Sequence, residues 1–499
     1  MTGNGEESLL VHPRWRPGEL GEPLPESPHA NSVCLPTWQD VVDYEEKNPR
    51  VIERLRAGYP RFVVPPQCAA WFELCLKRLG REGEGCHAYP SEGSARRCAR
   101  LIEQWSGAEA RVVAWEGGPV HLVFFPQEAR EFALKYWRHT GDGISSRRAE
   151  ALLAGRAERR DEKAYEETRR RLAEHAGVPE SNVFLFKSGM AGIYTLFRAL
   201  HRRRPGAAAV QFGFPYVDTL KILQDFGHEH VFYPRGDEAE LEALAKRASS
   251  DMLAGIFCEF PSNPLLFSPD VGRLGEIARL HRIPLVVDDT IATSVNVDLM
   301  GAADAVVTSL TKYFTGRGDL MAGAVILNPA SPRYDELYDG LAAEFEDCLW
   351  GDTLSLVAEA SRDYSQRVDR INETTLHVVN WLREHPGVDA ICHPSVTRRM
   401  VYDGFRKPGG GYGGLFSVIL KDAAVKAPRF YDGLEISKGP NLGTVFSLCC
   451  PFTLLAHYHE LEWAESCGVS RNLLRFSIGL EPAEELILRL DRALSATSG

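Results

Sequence analysis

The feature that most constrains this chain is a regular alternation between residues 207 and 328. Short apolar runs (AAAVQF, HVFYP, LAGIFCEF, PLVVDD, DAVVTS and GAVILN) are separated by segments of helical spacing such as DEAELEALAKRASS and DVGRLGEIARLH. Strand and helix in alternation give a largely parallel sheet covered on both faces, so the fold class is α/β. Ligands on such sheets bind outside the carboxyl ends of the strands, which directs attention to the residues just after each run.

SLTKYFTGRGDLMAGAV follows DAVVTS and places Lys312 among Ser309, Thr311, Gly316 and Gly318. The chain strongly favours Arg over Lys. Arg stays protonated, whereas a desolvated Lys can become a nucleophilic amine. Ser309 and Thr311 supply hydroxyls and the turn supplies N–H groups, a setting suited to a phosphate ester. Taken alone, the segment leaves open a loop with a surface lysine as the lesser alternative. Upstream, PLVVDDT sets Asp288 at a strand end, where a buried carboxylate needs a cation such as a protonated pyridine nitrogen. The alternative is an aspartate capping the next turn, which fits Asp289 better. FKSGMAGIYTLFRAL opens a helix with Ser-Gly-Met, and the free N–H groups there attract anions, although many helices begin this way. Tyr216, in FGFPYVDT, is either a ring that stacks on a flat cofactor or a core tyrosine. Asn263, flanked by prolines in CEFPSNP, either donates to a phenolic oxygen or shapes a turn.

The order of these parts is that of fold-type I pyridoxal-5′-phosphate (PLP) enzymes. The chain resembles the Cys/Met-metabolism (trans-sulfuration) family, and within it fungal-type cystathionine γ-synthases. The resemblance rests on LPTWQDVVDYEE, GYPRF, YWRHTGDGISSRRAE, FGFPYVDTLKIL, CEFPSNPLL and WAESCGVSRNLLRFSIGLE. It implies a fold-type I PLP-dependent transferase: a mostly parallel seven-stranded sheet in a large domain, a smaller C-terminal α/β domain and an N-terminal extension. It also implies roles. Lys312 holds PLP as a Schiff base and moves protons. Tyr216 stacks on the ring and assists proton transfer, Asp288 pairs with the ring nitrogen, and Asn263 meets the phenolic oxygen. Gly189, Met190, Ser309 and Thr311 hold the phosphate, which Tyr136 and Arg138 reach from a neighbouring subunit. Arg475 clamps the substrate α-carboxylate through a bidentate guanidinium. Asn441 stands where the family's serine is expected, and with Val445 and Phe446 it is expected to line the substrate pocket. A shared site implies a homodimer or homotetramer.

The domain reading is a mobile tail over 1–35, an α/β extension over 36–135, the large PLP-binding domain over 136–330, linking helices over 331–366 and the small domain over 367–499. The tail is rich in Pro, Gly and Glu. The charged stretch 146–175 has helical spacing. In the last part GLFSVIL, LGTVFSL and LLRFSIGL read as strands. A formal net charge of −11 argues against a nucleic-acid surface. The 11 cysteines include no C-x-x-C pair and no zinc spacing, so reduced thiols and no metal are expected. The beginning of the sequence lacks a basic start followed by an apolar run, and no window has the roughly 20 apolar residues of a membrane span. The expected location is cytoplasmic.

The resemblance implies γ-replacement on an activated four-carbon amino acid through a vinylglycine-type imine, followed by attack of a second small-molecule nucleophile. With cysteine as nucleophile this is cystathionine synthesis. The altered residue at 441 leaves a second version open, in which S-adenosylmethionine is the donor and a carbon or nitrogen centre attacks in specialised metabolism. A catalytically silent PLP-binding regulatory protein is the alternative from another class, and the presence of Lys312, Asp288 and Arg475 argues against it. A nucleotide-binding protein would need a G-x-G-x-x-G or P-loop, and neither is present.

Overall fold

The computed structural model describes residues 9–157 and 159–497. The first eight residues of the expected tail, residue 158 of the charged stretch and the last two residues of the C-terminal part lie outside the described residues.

Three sheets organise the chain. β1 (Glu84–Tyr89), β2 (Arg111–Ala114) and β3 (His121–Pro126) form a three-stranded antiparallel sheet in the order β1-β3-β2. The central sheet has seven strands: β4 (Val183–Phe186), β5 (Ala208–Phe212), β6 (His230–Tyr233), β7 (Leu253–Glu259), β8 (Leu285–Asp288), β9 (Ala305–Thr308) and β10 (Gly323–Leu327). Their order is β4-β10-β9-β8-β7-β5-β6. β10 runs antiparallel to β4 and β9, and the other pairings are parallel. A third sheet joins β11 (Val388–Cys392), β12 (Leu415–Leu420), β13 (Ser437–Lys438), β14 (Leu448–Pro451) and β15 (Leu474–Ser477) in the order β11-β12-β15-β14-β13. Among the described residues no helix is long and apolar enough to cross a membrane.

The period of two along each strand explains how the central sheet is held. Ile256, Val287 and Val306 face one core, whereas Phe257, Val286 and Val307 face the other. Both faces are therefore buried, and each such aliphatic side chain contributes on the order of 1.5–3 kcal/mol. The second core also contains Trp71, Val123 and Phe125, so the N-terminal sheet packs onto the large sheet through the helix Gly189–Arg203.

Several sequence expectations are corrected. The stretch 9–35 is not a mobile tail. Leu9, Leu24 and Cys34 pack against Phe446 and Leu448, and Leu20, Val33 and Leu35 enter the core of the small-domain sheet. Backbone bonds from Asn31 to Gly318 and from Leu35 to Lys438 pin it, because its apolar residues find partners far along the chain. The boundaries drawn after 135 and 366 fall inside the continuous helices Arg130–Thr140 and Tyr364–Glu384. The charged stretch 146–175 forms two helices, Ser146–Leu153 and Glu162–Ala176, separated by a turn in which Gly155 takes φ +65°. The strand expected over LGTVFSL begins only at its last residue, Leu448. The preceding residues turn toward the central sheet, with Val445 N–H donating to the Gly316 carbonyl.

Candidate active site

The carboxyl ends of β5, β7, β8 and β9 open into one cavity of about 860 Å³. This volume lies within the range of ligand sites. Tyr216, Glu259, Asn263, Asp288, Ser309, Lys312 and Arg475 all line it. All of these but Glu259 are residues singled out in the sequence, and the fold brings them to one cavity.

Lys312 is the centre of the site. Its Nζ donates to Asn441 Oδ1 at 2.5 Å and lies 4.8 Å from the centre of the Tyr59 ring. Burial lowers its pKa below the ordinary value. The Arg475 and Arg61 cations lower it further, against the raising effect of Tyr59. A desolvated amine with a depressed pKa is available as a nucleophile and base. Gly443 makes this arrangement possible: at φ +71° it packs so closely that a Cβ would lie 2.6 Å from the Tyr313 nitrogen. The loop carrying Asn441 is thereby pressed onto the lysine-bearing turn.

Asp288 ends β8 and is register partner to Glu259 at the end of β7. Glu259 accepts from the backbone N–H groups of Tyr216 at 2.5 Å and Asn263 at 3.1 Å. Asp288 accepts from the N–H of Thr290 at 2.8 Å. Burial raises the pKa of both carboxyls, and for Glu259 the nearby Asp288 charge adds to the shift. Two adjacent buried carboxylates suit a cationic partner in the cavity, and a protonated pyridine nitrogen meets that requirement. The residues present therefore fit PLP. The turn bond expected of Asp289 is made by Asp288 instead. Asp289 is buried with Oδ1 lacking a hydrogen-bond partner, and burial followed by the Asp288 charge pushes its pKa up to about 7.

Ser188 caps the helix Gly189–Arg203, its Oγ accepting from the Ala191 N–H at 3.0 Å. The first turn of this helix and Ser309 together border the cavity, an anion-binding arrangement. Arg475 is held by neutral acceptors: Nη1 donates to Asn263 Oδ1 at 3.1 Å and Nη2 to the Pro440 carbonyl at 2.6 Å. It forms no ion pair among the described residues, so its charge is free to receive a substrate carboxylate. Asn441 has its Nδ2 buried without a partner.

Other expected residues are placed differently. Thr311 is buried, and its hydroxyl bonds the backbone of Ala322 rather than facing the cavity. Val445 and Phe446 do not line the pocket. They pack with Leu9 and Leu24, because the loop turns them toward the N-terminal segment. Tyr136 and Arg138 part company: on a helix, residues two apart point to opposite sides. Tyr136 is 0% exposed, with its hydroxyl donating to Asp142 Oδ2 at 2.6 Å, whereas Arg138 lines the cavity of its own chain. The expectation that this pair serves a neighbour's phosphate is not supported by this placement.

Sequence reasoning missed a second Tyr-x-Arg, Tyr59-Pro60-Arg61. Arg61 is buried, and its Nη2 donates to the Tyr216 hydroxyl at 2.6 Å while Nη1 donates to the Arg138 carbonyl at 2.8 Å. Nη1 also lies 2.6 Å from Asp218 Oδ2, and Asp218 Oδ1 meets His139 Nδ1 at 2.7 Å. The guanidinium sits over the rings of Tyr59, Phe62 and Tyr216. The available signal was an Arg set among aromatics beside a proline, and Asp218 two residues after Tyr216.

Comparison with known proteins identifies the family. Residues 153–495 match the family described as Cys/Met metabolism PLP-dependent enzyme, and residues 68–145 match the fungal trans-sulfuration enzyme N-terminal domain. A cystathionine gamma-synthase from Neurospora crassa is 34% identical, over 96% of this chain and 98% of the relative. An L-2-amino-4-chloropent-4-enoate dechlorinase/desaturase from Streptantibioticus cattleyicolor is 33% identical, over 93% and 95%. The crystal structure of cystathionine gamma synthase from Xanthomonas oryzae pv. oryzae in complex with cystathionine superposes with a TM-score of 0.58 at 25% identity, covering 66% of this chain and 84% of that one.

Proposed function

Because the chain belongs to the Cys/Met-metabolism family of PLP-dependent enzymes, we propose that it catalyses γ-replacement on an activated four-carbon amino acid, with Lys312 as the cofactor-bearing lysine. The observation that carries this reading is the pairing, in one cavity, of a desolvated lysine with an arginine that has no carboxylate partner among the described residues. Bound PLP supplies an electron sink for the charge left when a substrate C–H bond breaks. Arg475 binds the α-carboxylate and so fixes which Cα bond faces Lys312. Lys312 Nζ takes the α-proton and returns it, a role its lowered pKa favours. Asp288, backed by Glu259, would pair with the ring nitrogen of bound PLP. The N–H groups of Gly189 and Met190 and the Ser309 hydroxyl would receive its phosphate. Tyr216 would stack on the ring, and Asn263 would meet the phenolic oxygen.

The leaving group divides two versions of this chemistry. An acyl ester of homoserine with cysteine as nucleophile makes cystathionine. S-adenosylmethionine with a carbon or nitrogen nucleophile is the second version. The asparagine amide left unpartnered beside Lys312 offers a hydrogen-bond donor to the substrate in either version. Loading the protein with PLP and offering O-acetylhomoserine, O-succinylhomoserine or S-adenosylmethionine separately will distinguish them by α-proton exchange and release of the γ-substituent. If none of the three supports exchange, or if borohydride fixes the cofactor anywhere but the SLTK segment, the proposal is wrong.

A further inference from the structure

The loop 58–62 lies outside the residues that match either family description, which begin at 68, yet Arg61 lines the catalytic cavity. We propose that Arg61 is a positioning residue of the active site: it seats the Tyr216 ring by holding its hydroxyl. The N-terminal extension thereby completes the cofactor platform within its own chain. This inference rests on the reading of Tyr216 as the ring that stacks on PLP.

Tyr216 is tethered at both ends. Its backbone N–H donates to Glu259 at 2.5 Å, and Glu259 is register partner to Asp288. Its hydroxyl accepts from Arg61 Nη2 at 2.6 Å. A tyrosine held only by its backbone still turns about its side-chain bonds, and the torsion that spins the ring is broad. A bond at the far end of the side chain removes that freedom. Stacked rings prefer an offset face-to-face arrangement, so a tilted ring loses contact with a flat partner. Burial, with Asp218 and Tyr59 adding to it, holds the phenol well above its ordinary pKa despite Arg61. The arginine therefore orients the ring without ionising it.

Arg61 can seat a ring only if it is itself fixed, and three consecutive residues of the helix Arg130–Thr140 fix it. Trp137 Nε1 donates to the Pro60 carbonyl at 3.2 Å, which anchors the loop at its centre. The Arg138 carbonyl accepts from Arg61 Nη1 at 2.8 Å. His139 Nδ1 lies 2.7 Å from Asp218 Oδ1, while Asp218 Oδ2 lies 2.6 Å from Arg61 Nη1. The guanidinium also rests over the rings of Tyr59 and Phe62.

The same contacts require an arginine. A lysine would meet Asp218 as a point charge, but only the planar fork offers separate N–H groups to Asp218, the Arg138 carbonyl and the Tyr216 hydroxyl. Asp218 stands two residues after Tyr216, in the first turn of the helix Val217–Asp225. Chain, ion pair and hydrogen bond thus close a small circuit that contains the ring. The ring cannot tilt unless a buried ion pair yields.

The test is a double-variant cycle on full-length holoenzyme. Tyr216→Phe keeps the ring and removes the hydroxyl, and Arg61→Met removes the guanidinium. Both break the same bond, so if Arg61 acts through Tyr216 the second substitution adds nothing to the first. One readout is α-proton exchange of L-2-aminobutyrate, a four-carbon amino acid with no leaving group, in heavy water. The other is the circular dichroism of the bound cofactor's visible band, which reports the asymmetry of its setting. Each single variant is expected to lower exchange by about 10–150-fold, the equivalent of one charge-assisted bond, and to weaken the visible band. The double variant is expected to lie within about threefold of the slower single. Losses that multiply in the double variant give Arg61 a structural role independent of the hydroxyl and overturn the inference. Single variants that exchange within about threefold of wild type, with an unchanged band, overturn it too. If Arg61→Met does not load with PLP, Arg61→Lys takes its place in the cycle, because it keeps a charge beside Asp218 without the planar fork. A wild type that exchanges no proton, or that borohydride tags away from Lys312, overturns the reading of the whole site. A wild type that is tagged at Lys312 and exchanges, with unimpaired variants, overturns only the role of Arg61.

Discussion

Replacing Arg61 by Met breaks the buried ion pair with Asp218, and the cost can be worked from the site. The side chains are 4% and 0% exposed and their charged atoms are 2.6 Å apart. At an effective dielectric constant of 20 the gross attraction is about 6 kcal/mol. Most of that is offset by desolvation while the pair is intact, but removing one member leaves a buried charge, which costs about 3–5 kcal/mol. His139 still holds Asp218, so the loss belongs at the lower end, about 3 kcal/mol. Asp218→Asn leaves the Arg61 charge with only the Tyr216 hydroxyl and the Arg138 carbonyl, and a loss of similar size follows. The double variant has no stranded charge and should recover more than half of the summed losses. Urea denaturation of the four apo-proteins, followed by tryptophan fluorescence, closes the cycle, and Trp137 contacts the loop directly. A coupling energy below about 0.5 kcal/mol, the level expected for independent sites, would refute the claim that the loop is locked by this pair.

Three further outcomes are expected. Arg475→Gln should raise the KM for the amino-acid donor by about 10–150-fold, the equivalent of one charge-assisted bond of about 1.5–3 kcal/mol, with little change in PLP binding by absorbance titration. Asp288→Asn should relieve the like-charge contact with Glu259 and raise apo-protein stability, while lowering α-proton exchange by about 10²-fold or more. Chemical denaturation and exchange rates on the same preparation test both signs. The third concerns acid. His87 and His393 are buried and their pKa values fall to about 3 and about 4, in each case chiefly through burial. Their folded values lie below the unfolded value of 6.5, so their contribution is complete above that pH and is lost as pH falls through the window toward 3–4. Each costs roughly 1.4 kcal/mol per pH unit within it. His87→Phe, packed among Phe72, Phe125 and Trp137, should flatten this acid limb in denaturation midpoints, and an unchanged slope would contradict the assignment.

The legible parts of the sequence share a physical trait: they are determined locally. β5 and β7–β10 are continuous apolar runs because both faces of the central sheet are covered, and Asp288, Ser309 and Lys312 could be placed because they follow those runs directly. β4 is a four-residue VFLF and β2 a four-residue RVVA. Such short segments carry no usable period, and only their ladder partners define them. Tyr136 was misplaced because its helical setting decides which of two nearby side chains faces inward. Arg61 and the 9–35 segment were invisible for a stronger reason. Each is positioned by partners that are remote in the sequence, Asp218 for one and residues 437–449 for the other, and no local pattern encodes such a meeting.

The seating of the 9–35 segment has a consequence for the order in which the molecule can be assembled. Leu35 and Pro36 bond to Lys438, whose amine reaches back 402 positions in the chain. During synthesis at about 5–20 residues per second, this segment waits roughly 20–80 s for its partner to be made. Leu9, Leu20, Leu24 and Val33 remain without a resting place throughout that interval. The segment is thus sheathed only after residue 438 has been added, and holdase chaperones have a long opportunity there.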